Sequence, residues 1–209
     1  MIRNIVVALA FSSAGVAGLN AQVGRNQGII DINTATEADL AKVPGFTAAI
    51  AKNLVAKRPF ASITAVDSLL ASLTSEQRMT AYAKAFVHVN LEKGTGPEIM
   101  LIPGAGRRMA REFDEYRPYT GGFVQFRKEI GKYVDSTEVA RLEQYVFIPV
   151  NLNTASDEAI LSIPGTGQRM LREFKEYRPY KDMAQFRKEI GKYVDAKEVA
   201  RLERFVTIE

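Results

Sequence analysis

The chain repeats itself, and this repeat limits the folds that are open to it. The stretch FRKEIGKYVDSTEVARLE that starts at Phe126 recurs from Phe186 with only two changes, and the stretch before it, IPGAGRRMAREFDEYRPY, recurs as IPGTGQRMLREFKEYRPY. A more distant copy precedes both, because VPGFTAAIAKNLVAKRPF keeps its two prolines at the same spacing. A period of about 60 residues is typical of an array of small structural units. We therefore predict three segments, at residues 31–89, 90–149 and 150–209.

Short helices with identifiable starts and stops account for each segment. Thr36, Thr95 and Ser156 precede apolar runs and are predicted to cap a first helix, because a short hydroxyl side chain bonds the free amides of the first turn. This helix ends at a Pro-Gly pair, and a second helix ends before another proline, since the residue preceding proline is kept out of helical geometry. A third helix follows, at Met183–Lys192 in the last segment, and Asp195 begins a fourth. No stretch shows sustained alternation with a period of two, so we predict an all-α fold with no sheet.

Each unit is too small to bury a large core by itself. Four short helices in some 60 residues give marginal stability, which favours stacking of the segments on one another. Val199, Leu202, Phe205 and Val206 lie at helical spacing and are expected to face inward. For the aromatic residues and methionines of these helices, packing in the core is the simplest interpretation.

The N-terminal residues have the pattern of an export signal. A positive start is followed by an apolar and small-residue stretch at 5–18, and cleavage is expected after Ala21 or Gly18. The apolar stretch is shorter than the roughly 20 residues of a bilayer-spanning helix, so we expect no stable membrane span. We therefore predict a signal peptide at 1–21, a linker at 22–30, and a mature protein that is periplasmic or secreted.

Composition narrows the possible chemistry. The chain has no cysteine, which excludes disulfides, thiolate metal sites and thiol catalysis. Its one histidine, His88, has no cysteine to partner it, so we expect no metal site and no cofactor, and we place His88 at the surface or at a boundary. Acids such as Glu112 stand beside arginines at helical spacing, which is typical of exposed salt bridges. No Walker-type lysine follows the glycine-rich turns. We therefore expect no enzyme activity.

Two segments carry a glycine-rich turn before their second helix. The turns are Ile102-Pro103-Gly104-Ala105-Gly106 and Ile163-Pro164-Gly165-Thr166-Gly167. Two glycines let the backbone bend tightly without a Cβ in the way, so that amides can approach an anion. Each turn leads into a helix N-terminus, whose unpaired amides and partial positive charge suit a phosphate oxygen. The alternative interpretation is a tight connection between helices with no ligand.

These turns resemble the helix-hairpin-helix motif, in which an apolar residue, Pro-Gly, any residue and Gly precede a helix that carries basic residues. The stretch VNLNTASDEAILSIPG from Val150 also resembles the opening of the ComEA family, the exported DNA receptors of bacterial competence. This resemblance implies tandem helix-hairpin-helix repeats that bind double-stranded DNA without sequence specificity, in the path of DNA uptake. It also implies contacts with DNA-uptake or secretion proteins of the envelope. Carried over from the motif, the predicted DNA-phosphate site consists of Gly104, Gly106, Arg107, Arg108, Arg111, Gly165, Gly167, Gln168, Arg169 and Arg172.

Other positions depart from the motif and are weaker candidates. In segment one Gly45 is retained, but Thr47 replaces the second glycine and two alanines replace the cations, so we expect poor phosphate binding. The second hairpin of a ComEA-like domain carries a Pro-Gly-type turn, whereas this chain has Gly-Lys-Tyr-Val-Asp from Gly131 and Gly191. At those hairpins Lys132 and Lys192 are the remaining candidates for contact with a DNA backbone.

The distribution of charge along the chain is also compatible with a function other than DNA binding. The whole chain carries a net charge of +4, but acids and bases balance from Asn90 to Pro149, and bases lead by one from Val150 onward. DNA binding must therefore come from local patches at the hairpins. The rival hypothesis is a structural or adaptor protein of the envelope that binds a protein partner, as the extrinsic subunit of photosystem II does with a similar fold. A secreted or surface factor that scavenges DNA is a third possibility.

Overall fold

The computed structural model describes residues 28–209, so the predicted signal peptide and most of the predicted linker lie outside the described residues. Within that range the chain forms twelve helices and six strands of two residues each. The predicted helical character is confirmed, whereas the expectation of no sheet is wrong. None of the helices at 28–209 is long and apolar enough to cross a bilayer.

The same order of elements, a strand, four helices and a strand, occurs three times. The first set is β1 Ile30–Asp31, α1 Glu37–Leu40, α2 Ala48–Ala56, α3 Ile63–Leu69, α4 Ser75–Tyr82 and β2 Ala85–Phe86. The second set is β3 Val89–Asn90, α5 Gly96–Met100, α6 Arg107–Glu115, α7 Gly122–Ile130, α8 Ser136–Glu143 and β4 Val146–Phe147. The third set is β5 Val150–Asn151, α9 Asp157–Leu161, α10 Gln168–Glu176, α11 Met183–Ile190, α12 Ala196–Glu203 and β6 Val206–Thr207.

Side chains cap the helices where the sequence predicts them. The hydroxyl of Thr36 accepts from the Asp39 amide, and that of Ser156 accepts from the Ala159 amide. Thr95 forms a complete capping box with Glu98, in which each side chain bonds the backbone of the other. Helix α11 ends at Ile190, two residues before the predicted end, because Gly191 already acts as its C-cap.

Pairs of parallel strands join the two ends of each set of helices. Strand β1 pairs with β2, β3 with β4 and β5 with β6, and the registers place Ile30 opposite Ala85, Val89 opposite Val146, and Val150 opposite Val206. Each pair brings the residues before the first helix of a set beside the residues after its last helix. Two-residue strands are too short to give an alternating pattern, which is why the sequence contains no sign of them.

Apolar packing continues from one segment to the next. One buried cluster includes residues of both segment one and segment two. At their junction the rings of Phe86 and Tyr145 meet edge to face, with centroids 5.0 Å apart. Phe147, at the end of segment two, belongs to the buried cluster of segment three, and its ring centroid lies 4.5 Å from that of Phe205. The predicted inward face of α12 and the residues after it is confirmed, since Val199, Leu202, Phe205 and Val206 are buried.

A polar cluster is buried where segments one and three meet. His88 is only 2% exposed, so the surface or boundary position expected for it is wrong. Its Nδ1 lies 3.0 Å from a carboxylate oxygen of Asp31, and Arg204 donates a hydrogen bond of 3.0 Å to the His88 carbonyl. Burial would raise the pKa of Asp31, but the hydrogen bond and positive field of His88, the Asn33 amide and Arg204 lower it below the ordinary value. This cluster joins the C-terminal end of α12 to segment one.

Candidate nucleic-acid interface

The Pro-Gly bend has the same backbone shape in all three segments. Gly45, Gly104 and Gly165 have φ angles of +83°, +80° and +76°, in the left-handed region that favours glycine. In each bend the amide of the next residue donates to the carbonyl three residues before it, at 2.9 Å from Ala105 to Ile102, for example. The first glycine of the motif is therefore required by the turn itself.

The second glycine, where present, leaves the following helix N-terminus open. Gly106 is the N-cap of α6 and Gly167 is the N-cap of α10, and neither has a side chain that could bond the first-turn amides. Both glycines are exposed, and a Cβ built on either would meet no atom within 4 Å. Within residues 28–209, the amides of the first turn thus have no protein acceptor that competes with a ligand.

Segment one satisfies its own helix N-terminus. Thr47 occupies the place of the second glycine and is the N-cap of α2. Its hydroxyl accepts a hydrogen bond of 3.2 Å from the Ile50 amide, one of the amides that a phosphate would otherwise use. Ala48 and Ala49 follow with no charge. Poor phosphate binding by segment one stays a prediction.

Exposed cations follow both open hairpins. Arg107, Arg108 and Arg111 on α6 are exposed and form no ion pair with any residue at 28–209. The guanidinium of Arg108 lies 5.1 Å from the ring centroid of Tyr133, a cation–π contact with the connection between α7 and α8. On α10 the corresponding residues Gln168, Arg169 and Arg172 are exposed too, and this part of the chain offers neither arginine an ion-pair partner. Every strong candidate of the sequence analysis therefore lies at the Pro-Gly turn of segment two or of segment three, or on the helix that follows that turn.

The hairpins between the third and fourth helices are different. Asp135 is the N-cap of α8, and its carboxylate accepts a hydrogen bond of 2.9 Å from the Glu138 amide. Asp195 does the same for α12. A carboxylate in this position occupies the amides and repels a phosphate.

The lysines of these hairpins have acidic partners. The hydrogen bond that Lys132 donates to Glu129 raises the pKa of Lys132, and the bond from Lys192 to Glu189 raises the pKa of Lys192 in the same way. Each ammonium also lies about 5 Å from a tyrosine ring centroid, at 5.0 Å for Lys132 over Tyr116. These cations are less available for a phosphate than the unpaired arginines of α6 and α10.

Two arginines that the sequence analysis did not single out lie against the turns. Arg141 on α8 places its Nη2 atom 3.0 Å from the position of a Cβ built on Gly104, and Arg201 on α12 places the same atom 3.2 Å from that of Gly165. Both belong to the repeated ARLE stretch. Their repetition was visible in the sequence, but nothing local connects them to turns 37 or 36 residues earlier.

From here on, the second hairpin is the Pro-Gly turn of segment two and the third hairpin is that of segment three. The third hairpin also has a neighbour from segment one. The methyl group of Thr34 lies 3.2 Å from the Cβ position of Gly165, and the Arg201 side chain is only 3% exposed. At the second hairpin, the nearest atoms to Gly104 come from its own segment, and Arg141 is 32% exposed. Gly165 and Gly167 nevertheless remain exposed. The first segment therefore borders the third hairpin without closing it.

Comparison with known proteins identifies the motif. Residues 25–69 match the family described as helix-hairpin-helix motif, a motif that indicates nucleic-acid binding. The chain is also 28% identical over 120 residues to endonuclease/exonuclease/phosphatase family domain-containing protein 1 of Xenopus laevis. That match covers 43% of this chain and 21% of the relative, so the chain spans about a fifth of the relative's length. No solved structure is significantly similar.

Proposed function

We propose that this chain binds double-stranded DNA without sequence specificity, through tandem helix-hairpin-helix repeats of which segments two and three each hold a backbone phosphate. One observation carries the proposal: α6 and α10, the helices that follow the Pro-Gly bends of segments two and three, have no capping side chain and carry in their first turns exposed arginines that form no ion pair within residues 28–209. The match of residues 25–69 to a nucleic-acid-binding motif supports it.

The mechanism is electrostatic and uses the backbone. The amides of Gly104 and Gly106 donate to the oxygens of one phosphate, and those of Gly165 and Gly167 to the oxygens of another. The positive end of α6 or α10 adds to the attraction. Arg107, Arg108 and Arg111 contribute full charges around the second hairpin, and Gln168, Arg169 and Arg172 surround the third. Because these groups meet phosphate and not base edges, binding does not depend on the base sequence.

Each site alone binds weakly, and linkage between the sites raises the affinity. A few arginines replace only a few counterions, so the affinity of one hairpin falls steeply as salt increases. The two hairpins belong to one packed chain, so the second contact with the same duplex is intramolecular. Such a contact raises the overall affinity by orders of magnitude when the geometry allows both to bind.

The cellular setting is part of the proposal. The N-terminal pattern of an export signal and the resemblance of the stretch from Val150 to the ComEA family support a periplasmic or secreted protein that retains incoming DNA for uptake. We assign it no catalytic activity. A plasmid-nicking assay with added Mg²⁺ tests that assignment, and cleavage that copurifies with the pure chain would contradict it.

The test of DNA binding is a titration of the full chain on labelled random duplex at several salt concentrations. Replacing Arg107, Arg108, Arg169 and Arg172 together by alanine should abolish most binding. Any residual binding should have a log–log salt slope lower by roughly 0.9 for each phosphate that the variant no longer neutralises. The charge-matched control replaces Lys84, Lys128, Lys181 and Lys188, which are also exposed, and should change affinity far less. Undiminished binding by the four-arginine variant would remove the proposed function.

A second candidate function is an envelope adaptor that binds a protein partner. The acidic caps Asp135 and Asp195 support it, because they make the remaining hairpins unsuited to phosphate. The near balance of charge in segments two and three supports it as well. A pull-down from periplasmic extract distinguishes the two functions. A stoichiometric protein partner that persists after nuclease treatment favours the adaptor.

A further inference from the structure

We infer that Arg141 and Arg201 are positioning residues for the two phosphate-binding hairpins. This inference rests on the proposed function and deepens it. Each arginine comes from the fourth helix of its segment and lies against the Pro-Gly bend of the same segment. The role we assign is to hold the bend so that its glycine amides point at one phosphate.

The Arg141 guanidinium is fixed by a neighbour on its own helix. Its Nε and Nη2 atoms donate to the two carboxylate oxygens of Glu138, each at 2.6 Å. Two parallel hydrogen bonds set the plane of the guanidinium as well as its place. The Nη2 atom then lies 3.0 Å from where a Cβ on Gly104 would be, so the bend and the arginine are in close contact.

Segment three shows the same arrangement with one more bond. Arg201 donates to both oxygens of Glu198, at 2.7 Å from Nε and 2.6 Å from Nη2. Its Nη1 atom also donates to the Pro164 carbonyl at 2.6 Å, which ties the guanidinium to the bend directly. Since Pro164 precedes the first glycine of the turn, movement of Arg201 would move the backbone that carries Gly165.

Segment one lacks this arginine. Arg141 and Arg201 each lie six residues after the aspartate that caps the fourth helix, and the residue six places after the corresponding cap of α4, Thr74, is Thr80. There the nearest neighbour of a Cβ on Gly45 is a backbone carbonyl, 3.7 Å away.

Segment one can therefore be compared with segments two and three to find what the arginine accompanies. The bend itself forms in all three segments, so its formation does not need the arginine. The arginine occurs in the two segments that keep the second glycine and a cation in the first turn of the second helix. It is absent from segment one, which lacks both and keeps only Lys52 further along α2. This association with the open helix N-terminus, and not with the bend, points to a role in phosphate binding.

Nuclear magnetic resonance of the full chain tests the inference, with the third hairpin as an internal reference. On addition of a short random duplex, the amide signals of Gly104, Gly106, Gly165 and Gly167 should all shift. In Arg141→Met the shifts of Gly104 and Gly106 should be reduced or abolished, while those of Gly165 and Gly167 persist. Duplex affinity should fall by about tenfold, as for removal of one charge-assisted bond. The salt slope should stay unchanged, because Arg141 is paired with Glu138 and neutralises no phosphate.

Three further variants separate positioning from stability. Arg127→Met breaks another two-bonded arginine–glutamate pair, between α7 and Glu143 of α8, and should leave the Gly104 and Gly106 responses intact. Arg141→Lys, which keeps the charge and can form one of the two bonds, should restore part of the response. If Arg141→Met does not fold, Glu138→Gln loosens the same pair and should give a smaller loss at the same two glycines.

The experiment distinguishes failure of the positioning role from failure of the proposed function. If none of the four glycine amides of the unmodified chain responds to duplex, the proposed function fails. If all four respond, and the responses of Gly104 and Gly106 survive intact in Arg141→Met or, where that variant does not fold, in Glu138→Gln, the positioning role is overturned while DNA binding stands.

Discussion

The two glycines of one hairpin should have separable roles, the first in stability and the second in binding. Gly104 has a φ angle of +80°, and alanine in this left-handed region costs about 1–2 kcal/mol. The new methyl group would also lie 3.0 Å from Nη2 of Arg141, which must shift. We therefore expect Gly104→Ala to lower the free energy of unfolding by about 2 kcal/mol.

Gly106→Ala should behave in the opposite way. The backbone of Gly106 is extended, with φ −102° and ψ −174°, a conformation that any residue adopts, and the added methyl group would meet no atom within 4 Å. The stability cost should stay below about 1 kcal/mol, the difference between glycine and alanine as an N-cap. The methyl group would, however, stand where a phosphate must approach the amides. Loss of one charge-assisted hydrogen bond predicts about tenfold weaker DNA binding.

Urea denaturation followed by circular dichroism measures the first effect, and fluorescence anisotropy on random duplex at fixed salt measures the second. The pair Gly165→Ala and Gly167→Ala repeats the comparison in segment three. Full affinity in both Gly106→Ala and Gly167→Ala would refute the idea that a phosphate approaches the second glycine. Unchanged stability in Gly104→Ala would refute the conformational requirement at the first.

Two further predictions concern the acidic groups. Asp135→Ala should cost about 1 kcal/mol of stability through loss of the α8 cap, with no loss of DNA affinity, and weaker binding in anisotropy titrations would show that this hairpin takes part. Asp31 has a folded-state pKa below that of the unfolded chain, so its contribution to stability is present above about pH 4 and is lost as the pH falls through the folded-state pKa. Asp31→Asn should remove this acid sensitivity and cost about 3–5 kcal/mol at neutral pH, and urea titrations at pH 7 that match the unmodified chain would argue against the buried pair with His88.

Local signals in the sequence predicted most of the helical architecture. Thr36, Thr95 and Ser156 are caps because their hydroxyls reach amides only three residues away. The sequence predicts such a cap because both partners lie close together along the chain. The paired strands are not local: Val89 and Val146 lie 57 residues apart, and two residues give no periodic pattern. The surface or boundary position predicted for His88 is wrong because its burial depends on residues distant in the sequence, Asp31 and Arg204.

The residues of the candidate site also divide into those that a local sequence pattern predicts and those that only the fold brings together. Gly104, Gly106 and the arginines of α6 are contiguous in the sequence, so a motif predicts them together. Arg141 reaches the bend only because the strands β3 and β4 return the fourth helix to the start of its segment. The acidic cap between the third and fourth helices is local as well, since the pattern that begins the fourth helix at Asp195 recurs at Asp135 and both carboxylates accept from an amide three residues on.

Segment one separates the motif from the activity attributed to it. The family match lies on residues 25–69, yet in this segment Thr47 is bonded to its own helix and the first turn of α2 carries no cation. What it shares with the other segments is the bend, with φ of +83° at Gly45 against +80° and +76°. A match to the motif therefore coincides with a backbone shape that all three segments share. Under the proposed function, phosphate binding needs two additions to that shape, an uncapped helix N-terminus and unpaired charge beside it, and each segment has to be assessed for both.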